Sequence, residues 1–528
     1  MLTPNLSADV TAMIQNITVQ GESERFWRLN RLESVWNGQR YVCENRPSFW
    51  DTSVPLRQRA PCVQSHLPRT AGMRLAHLVM GERSFPAIVV KEGGYGVKVT
   101  PAELALVQAL VVQLVASSKL STKAREYLIE GLKTGTSVAL QSLEAGRPCI
   151  RILPAKWCTP VLSATGEVEH LVIMYKTASS TPGVFQWYRR ELGGGLDRVW
   201  APVPVTDEPP KWEKLALTSE VEIEFVPVVW TRCLAEGVDD ECDIDGHALA
   251  DGLENEVEAL DMELSQYYRN ALYNGDPQMI RTGVDSEDTA PVGEQGAVGG
   301  AFSWLNGKMT GRSGGGAQAL KKAPGKVWNL PPGGDAKLLE SSGSGATIIE
   351  GAIDQLRRVT TDALGVILAD PDTLGKGDLS ARALTLMFGP MLDTADNLRS
   401  TYGEAIVAIV GQLLRLCSGA KAIEDGVHLQ TWEPALPVLA RFHAVKAVMV
   451  EGTTQNVSVW INPVIDLAWG DYFDQSWADV GQAVEAVSKA TGGKAVLSQR
   501  QAVSMLGHLT GVVDVEAELA QLKVEAGQ

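Results

Sequence analysis

The sequence predicts an α+β protein built from several packed units, and three observations predict it. Long stretches carry apolar residues at three- and four-residue spacing, the period of a helix with one buried face. A central stretch breaks instead into short apolar runs separated by turn residues, the pattern of strands. The chain has 528 residues, 45% hydrophobic and 21% charged, which is ample apolar material for a core and too long for a single one.

Up to about Lys91 the chain is rich in aromatics and arginine, as in Phe26-Trp27-Arg28, Tyr41 and Phe49-Trp50. Pro101 suits a first helical turn, and the spacing through Leu128, Ile129 and Leu132 predicts helix over Pro101 to Leu143. No run reaches the roughly 18 apolar residues of a membrane span. The nearest, Leu104 to Val115, is interrupted by Gln108 and Gln113 and reads as a buried helix. From Cys149 to Val229 the short runs predict a mostly β domain. Val221-Glu-Ile-Glu-Phe-Val alternates with period two, as a half-buried strand does.

A helix is predicted from about His247 to Asn274, opened by Asp245-Gly246, ended by Asn274-Gly275-Asp276-Pro277, and some 40 Å long at about 1.5 Å per residue. Residues 276–346 are dense in Gly, Ser and Pro, while Trp304, Trp328 and Lys326-Val-Trp-Asn-Leu point to a small ordered lobe. A second long helix is predicted from Ile348 to about Leu368. A third runs from Leu379 to Leu416, with Gly389-Pro390 as its kink. Strands and one helix are expected over 428–464, and two or three helices in the tail. Two long helices flanking a small lobe are the organising feature.

Net charge is −16, with 63 acidic against 47 basic side chains. That argues against broad gripping of nucleic acid, which rests on Lys and Arg neutralising phosphates. It is compatible with solubility alone and with a wall that duplex DNA slides past. Seven cysteines, scattered and odd in number, read as small buried hydrophobes rather than a disulfide framework. No basic and apolar leader is visible at the N-terminus, so a soluble protein kept in a cytoplasm is expected.

The order of these segments resembles the portal proteins of tailed bacteriophages. The resemblance rests on Glu258-Ala-Leu-Asp-Met-Glu-Leu-Ser-Gln-Tyr-Tyr-Arg-Asn leading to Pro277-Gln-Met-Ile, then Val327-Trp-Asn-Leu-Pro-Pro-Gly-Gly-Asp-Ala-Lys-Leu-Leu-Glu. The helix from Ile348 follows, then a Pro-containing loop before Ser380-Ala-Arg-Ala-Leu, where Ala381 replaces the usual Gly. Leu497-Ser-Gln-Arg-Gln-Ala-Val-Ser-Met-Leu and Gly511-Val-Val-Asp-Val-Glu-Ala-Glu-Leu close it. Each motif alone is weak; their shared order spans roughly 450 residues.

The resemblance implies a portal fold. The wing comprises residues 1–244 and 379–470, the first stem helix 245–275, and the small α/β clip 276–346. The second stem helix is 347–368, the tunnel loop 369–378 and the helical crown 471–528. It implies a homo-oligomeric ring, usually of twelve subunits, at one capsid vertex of a virion assembled in the host cytoplasm. Its implied partners are the terminase large subunit, a head-tail adaptor, the major capsid and scaffolding proteins, and double-stranded DNA passing without sequence specificity, with no membrane and no cofactor.

Four groups carry candidate chemistry. A phosphate cradle needs GxxxxGK followed by Ser or Thr, yet the Gly-Lys pairs continue with Met309, Val327, Gly377 and Ala495, so ATP hydrolysis belongs to another protein and the chain is expected not to be an enzyme. Asp239-Asp240-Glu241, Asp243 and Asp245 read either as a hard-cation site, which a metal-dependent nuclease requires, or as a solvated loop with Asp245 capping the next helix. Asp251, Glu254, Glu258 and Asp261 read either as a solvated helix face or as a negative ring along a channel. Lys308, Arg312, Lys321, Lys322 and Lys326 form a basic loop suited to partners or phosphates, or serving solubility alone. Asp370, Pro371, Asp372, Thr373, Leu374, Gly375, Lys376 and Gly377 fall where the tunnel loop is implied, or form an ordinary helix connection. A ring-forming virion protein that does not conduct DNA is a further alternative.

Overall fold

The computed structural model describes residues 24–81, 84–91, 99–144, 147–179, 181, 184–205, 212, 215–234, 244–274, 278–282, 335–339, 344–367, 386–419, 436–450, 453–470, 472, 485, 489 and 519. In chain order the elements are α1 (Glu24–Asn37), α2 (Arg40–Cys43), α3 (Leu67–Met80), β1 (Ala87–Val90), α4 (Pro101–Ser118) and α5 (Leu120–Thr134). Then come β2 (Thr136–Glu144), β3 (Arg147–Leu153), β4 (Cys158–Leu162), β5 (Val168–Ala178), β6 (Phe185–Gly193), β7 (Leu196–Trp200), β8 (Val203–Pro204), β9 (Leu217–Glu222) and β10 (Val228–Arg232). The rest are α6 (Glu254–Asn274), β11 (Gln278–Thr282), β12 (Asp335–Leu339), α7 (Ser344–Ala363), α8 (Gly389–Gly419), α9 (Leu436–Ala440), β13 (His443–Val450), β14 (Thr453–Trp460) and β15 (Ile465–Ala468). The mixture of helix and sheet is the expected α+β class. The chain divides into two compact units, one of residues 1–46, 66–255 and 359–528, the other of 47–65 and 256–358.

The first unit holds the antiparallel sheet β10-β2-β3 and the larger meander β4-β5-β6-β7-β9, with β8 on β6. The Gly194-Gly195 link between β6 and β7 lies at positive φ at both residues, and Gly193 pairs with Leu196. Such a two-residue turn matches strand twist and favours Gly, which has no Cβ to clash. Leu29, Val138, Leu140, Leu171, Ile173, Leu192 and Val228 form a core between the sheets and α1. Helix α8 buries Leu398, Tyr402, Ile406, Ile409, Leu413 and Cys417, three or four residues apart as a core-facing stripe requires. It packs on β2, β10 and α3. Strands β1 and β15 pair antiparallel from Ala87↔Ala468 to Val90↔Ile465, so the two distant segments of this unit close one structure.

The predicted helix over 101–143 is instead two helices and a strand. Thr100 and Glu103 form a reciprocal capping box with Pro101 in the first turn, which satisfies otherwise unpaired N–H groups. Lys119 (φ 54°) ends α4 and Gly135 (φ 85°) ends α5, both left-handed. Thr136, Ser137 and Val138 then open β2, whose first six residues are all buried, so no alternation marks the strand. By length and composition α4 is apolar enough to cross a membrane. Here Val107, Leu110, Val111 and Leu114 are buried, while Leu106 and Val112 are exposed. Gln108, which interrupts the apolar run, accepts from Val90 N at 2.7 Å and donates to Ile88 O at 2.9 Å, completing an edge of β1.

Helix α6 begins at Glu254, later than predicted and about 31 Å long. Asp245 does not cap it. Arg25 grips the Asp245 carboxylate through Nε (2.6 Å) and Nη2 (2.7 Å), Thr136 Oγ1 donates at 2.8 Å, and Arg28 approaches at 3.2 Å. Arg25 also donates to Cys158 O at 2.7 Å and lies over the Trp230 ring. Close backbone approach fixes Gly246: a Cβ there meets the Cys233 backbone. Helix α7 ends at Ala363, short of the predicted Leu368. Val366 N donates to Thr361 O and Gly365 N to Asp362 O, with Gly365 at φ 61°, a Schellman ending in which the left-handed residue closes the carbonyls. Phe388 interrupts the helix before Gly389-Pro390, one residue ahead of the predicted kink. Of the six described cysteines, Cys158, Cys233 and Cys417 are buried and their thiols pushed up to about 12 by burial, whereas Cys43 and Cys62 are exposed.

Two outcomes follow. Asp245→Asn lowers unfolding free energy by about 3 kcal/mol, because Arg25 then lies beside a buried pocket without its counter-charge; equilibrium urea unfolding reads it. Burial alone raises the Asp245 pKa, but Arg25, Thr136 and Arg28 outweigh it and hold the carboxyl below its ordinary 3.8. Its contribution is therefore full above 3.8 and lost as pH falls through the lower folded value. Below pH 4 the gap between wild type and Asp245→Asn narrows.

Candidate functional site

The sequence places the candidate machinery on the first long helix, in the segment between the two long helices, in the acidic cluster before them and in the loop after them. The chain enters the second unit through α6 and leaves it through α7. Within that unit β11 and β12 pair antiparallel, from Gln278↔Leu339 to Thr282↔Asp335. This ribbon brings the chain back beside itself after residues 283–334. Tyr267 on α6 donates to Glu350 on α7 at 2.8 Å, and that hydrogen bond raises the tyrosine pKa.

The four acidic residues predicted on the first helix have different surroundings. Asp251 precedes α6 and lies 3.5 Å from His247 Nδ1. Glu254 stands at the helix start, 3.9 Å from Arg31, and its carbonyl accepts from Arg40 at 2.7 Å. A carboxylate in a first turn also meets the positive end of the helix dipole. Glu258 is half-buried. Asp261 is 3% exposed, and its carboxylate accepts from Ser65 N at 2.7 Å. It is thus turned inward rather than onto a solvent-facing row.

Ser265, four residues on and on the same helix face, completes this contact. Its hydroxyl accepts from Cys62 N (2.9 Å) and Val63 N (3.0 Å) and donates to Asp261 O at 2.8 Å. Arg59 Nε donates to Val54 O at 2.7 Å and Nη1 to Phe49 O at 3.2 Å, so side chains satisfy much of the backbone of 47–65. Sequence reasoning missed Ser265, Tyr267, Glu350 and Arg59. The Asp261/Ser265 spacing was legible, but its partner loop lies about 200 residues away.

Lys308, Arg312, Lys321, Lys322 and Lys326 lie outside the described residues, as do 370–377 and Asp239, Asp240, Glu241 and Asp243. Asp245, the described member of that last cluster, has its carboxylate committed to Arg25. Among the described residues no group of three or more His, Cys, Asp or Glu is placed to hold a metal ion.

Apolar side chains remain uncovered on both helices of the second unit: Tyr268 and Leu272 on α6, and Ile348, 73% exposed, on α7. Ser265→Ala leaves the Cys62 and Val63 amides without their buried acceptor, costing about 1–3 kcal/mol locally. Hydrogen exchange at Cys62 and Val63 accelerates by at least about tenfold, while exchange in β2 and β10 is unchanged.

No protein-family model matches the sequence, and neither does a curated protein. Among solved structures the fold is similar to a chain of the virion of a native gene transfer agent particle, at 12% identity over 84% of this chain and 92% of that one. It is also similar to a chain of the neck of the native particle computed with C12 symmetry, at 14% identity over 85% and 95%. Both TM-scores are 0.38, too low to carry an argument about this chain.

Proposed function

We propose that this chain is a portal protein: a subunit of a ring at one capsid vertex, through which double-stranded DNA enters and leaves. The observation that carries the reading is the helix–ribbon–helix excursion, α6 to β11, β12 to α7, with Tyr267 and Glu350 joining the helices. This excursion supports the order stem, clip, stem that the resemblance of the motifs between Glu258 and Leu384 implies. Exposed Tyr268, Leu272 and Ile348 suit lateral contact between copies, since isolated helices gain most of their stability from burying an apolar face.

In this reading the segment 276–346 docks the terminase and later the head-tail adaptor, and 369–378 meets passing DNA. Its role is structural rather than catalytic. A surface of net charge −16 repels phosphates, so the duplex passes without being held. Specificity for sequence is neither needed nor provided for.

Purified protein assembles into closed rings of about twelve subunits, read by native mass spectrometry and by a central hole in electron micrographs. Monomers over a wide concentration range would sink the reading. Replacing Gly375 and Gly377 together with Val leaves ring yield intact but lowers packaged DNA per head, because β-branched residues resist positive φ. Loss of ring formation in that mutant assigns the segment to a packed helix connection instead.

A further inference from the structure

Helix α3 packs Ala71, Leu75, Ala76 and Val79 inward at essentially full burial. Its opposite face presents Arg69, Met73, Arg74 and His77, in which Arg69 and Met73, Met73 and His77, and Arg74 and His77 are three or four residues apart, as neighbours on one helix face are. Arg125 on α5 stands across from them, and together they border a cavity of about 730 Å³ within the first unit. Its apolar surface includes Met73, which is 44% exposed, and Ile129. No carboxylate lines it.

The arginines here are unusual for this protein. Arg25 is paired with Asp245, Arg190 with Asp197, Arg198 with Glu220 and Arg415 with Glu224. Among the described residues Arg69, Arg74 and Arg125 make no ion pair or hydrogen bond. A chain with 63 acidic and 47 basic side chains has thus gathered three uncompensated guanidinium groups and a histidine around one apolar hollow.

We propose that this groove is a subunit contact that receives an acidic face, bearing an apolar side chain, of a second copy of this chain; it rests on the ring reading above. Charge complementarity selects the occupant. Each copy carries −16, so neighbours in a closed ring repel unless acidic surface meets a basic one. Carboxylates accept paired N–H groups from arginine with matched planar geometry. Arg and Met are also enriched at protein interfaces, where an apolar centre sits within a polar rim. A phosphate backbone would use the arginines but gain nothing from Met73 and Ile129.

The test compares full-length wild type with Arg74→Glu/Arg125→Glu and with Arg74→Lys/Arg125→Lys. Native mass spectrometry and sedimentation measure assembly, circular dichroism checks folding, and fluorescence anisotropy with a short labelled duplex DNA measures nucleic-acid binding. The charge reversal, folded as wild type, should raise the concentration for half-assembly by at least about tenfold, with the lysine variant intermediate. If wild type forms rings and the charge reversal forms them equally well, the groove proposal is wrong and the ring reading stands. A wild type monomeric at every concentration overturns both. Loss of duplex binding with unchanged assembly overturns the subunit contact in favour of a nucleic-acid site.

Discussion

The first unit depends on a single buried carboxylate. Asp245 collects both arms of Arg25, the Thr136 hydroxyl and one arm of Arg28, and so ties helix α1 to strand β2 and to the segment leading into α6. Arg25 extends the tie to the start of β4 through Cys158 O and to β10 through the Trp230 ring. Trp230 in turn donates to Ile244 O at 2.9 Å. A buried ion pair adds little net stability over well-packed apolar side chains, because desolvation offsets attraction. Its consequence lies in what breaking it costs: an arrangement that separates these elements leaves a charge buried without its partner.

Around that tie, packing is tight enough to constrain backbone chemistry. Tyr127 and Tyr402 meet edge to face at 5.5 Å, and Ser137 Oγ donates to Tyr127 O while lying 2.8 Å from the Tyr402 hydroxyl. Gly131 is where α5 passes this cluster, and a Cβ there collides with the Tyr402 hydroxyl. Tyr127 donates to Thr231 at 2.8 Å. Each buried hydroxyl in this cluster therefore has a partner, as the cost of orphaned polar groups demands. The same polar accounting in the second unit is done by Asp261, Ser265 and Arg59, which together hold the backbone of 47–65.

Acidic residues consequently serve several ends in one chain. Asp245 and Asp261 are internal acceptors; Asp197, Glu220 and Glu224 pair with nearby arginines; others remain at the surface and set the net charge. Counting charges along a helix does not separate these uses. The basic residues sort likewise: Arg25, Arg190, Arg198 and Arg415 are paired with carboxylates, whereas Arg69, Arg74 and Arg125 beside α3 are among those that are not.

The α+β class, the β-rich middle, the two long helices on either side of residues 276–346, and the short helix and strands near residue 450 were legible in the sequence, because periodicity and turn residues are local signals. The Pro101 helix start was legible for the same reason, as was the order of motifs that resembles portal proteins. Tertiary structure alone decided that residues 136–144 form a strand: both faces of its first part are buried, so alternation vanishes and apolar density mimics helix. It also decided that Asp245 is a buried hub rather than a helix cap, and that Asp261 faces a loop rather than solvent. In each case the deciding partner lies far along the chain, 220 residues from Asp245 to Arg25 and 196 from Asp261 to Ser65, and no local pattern encodes a partner that only folding brings near.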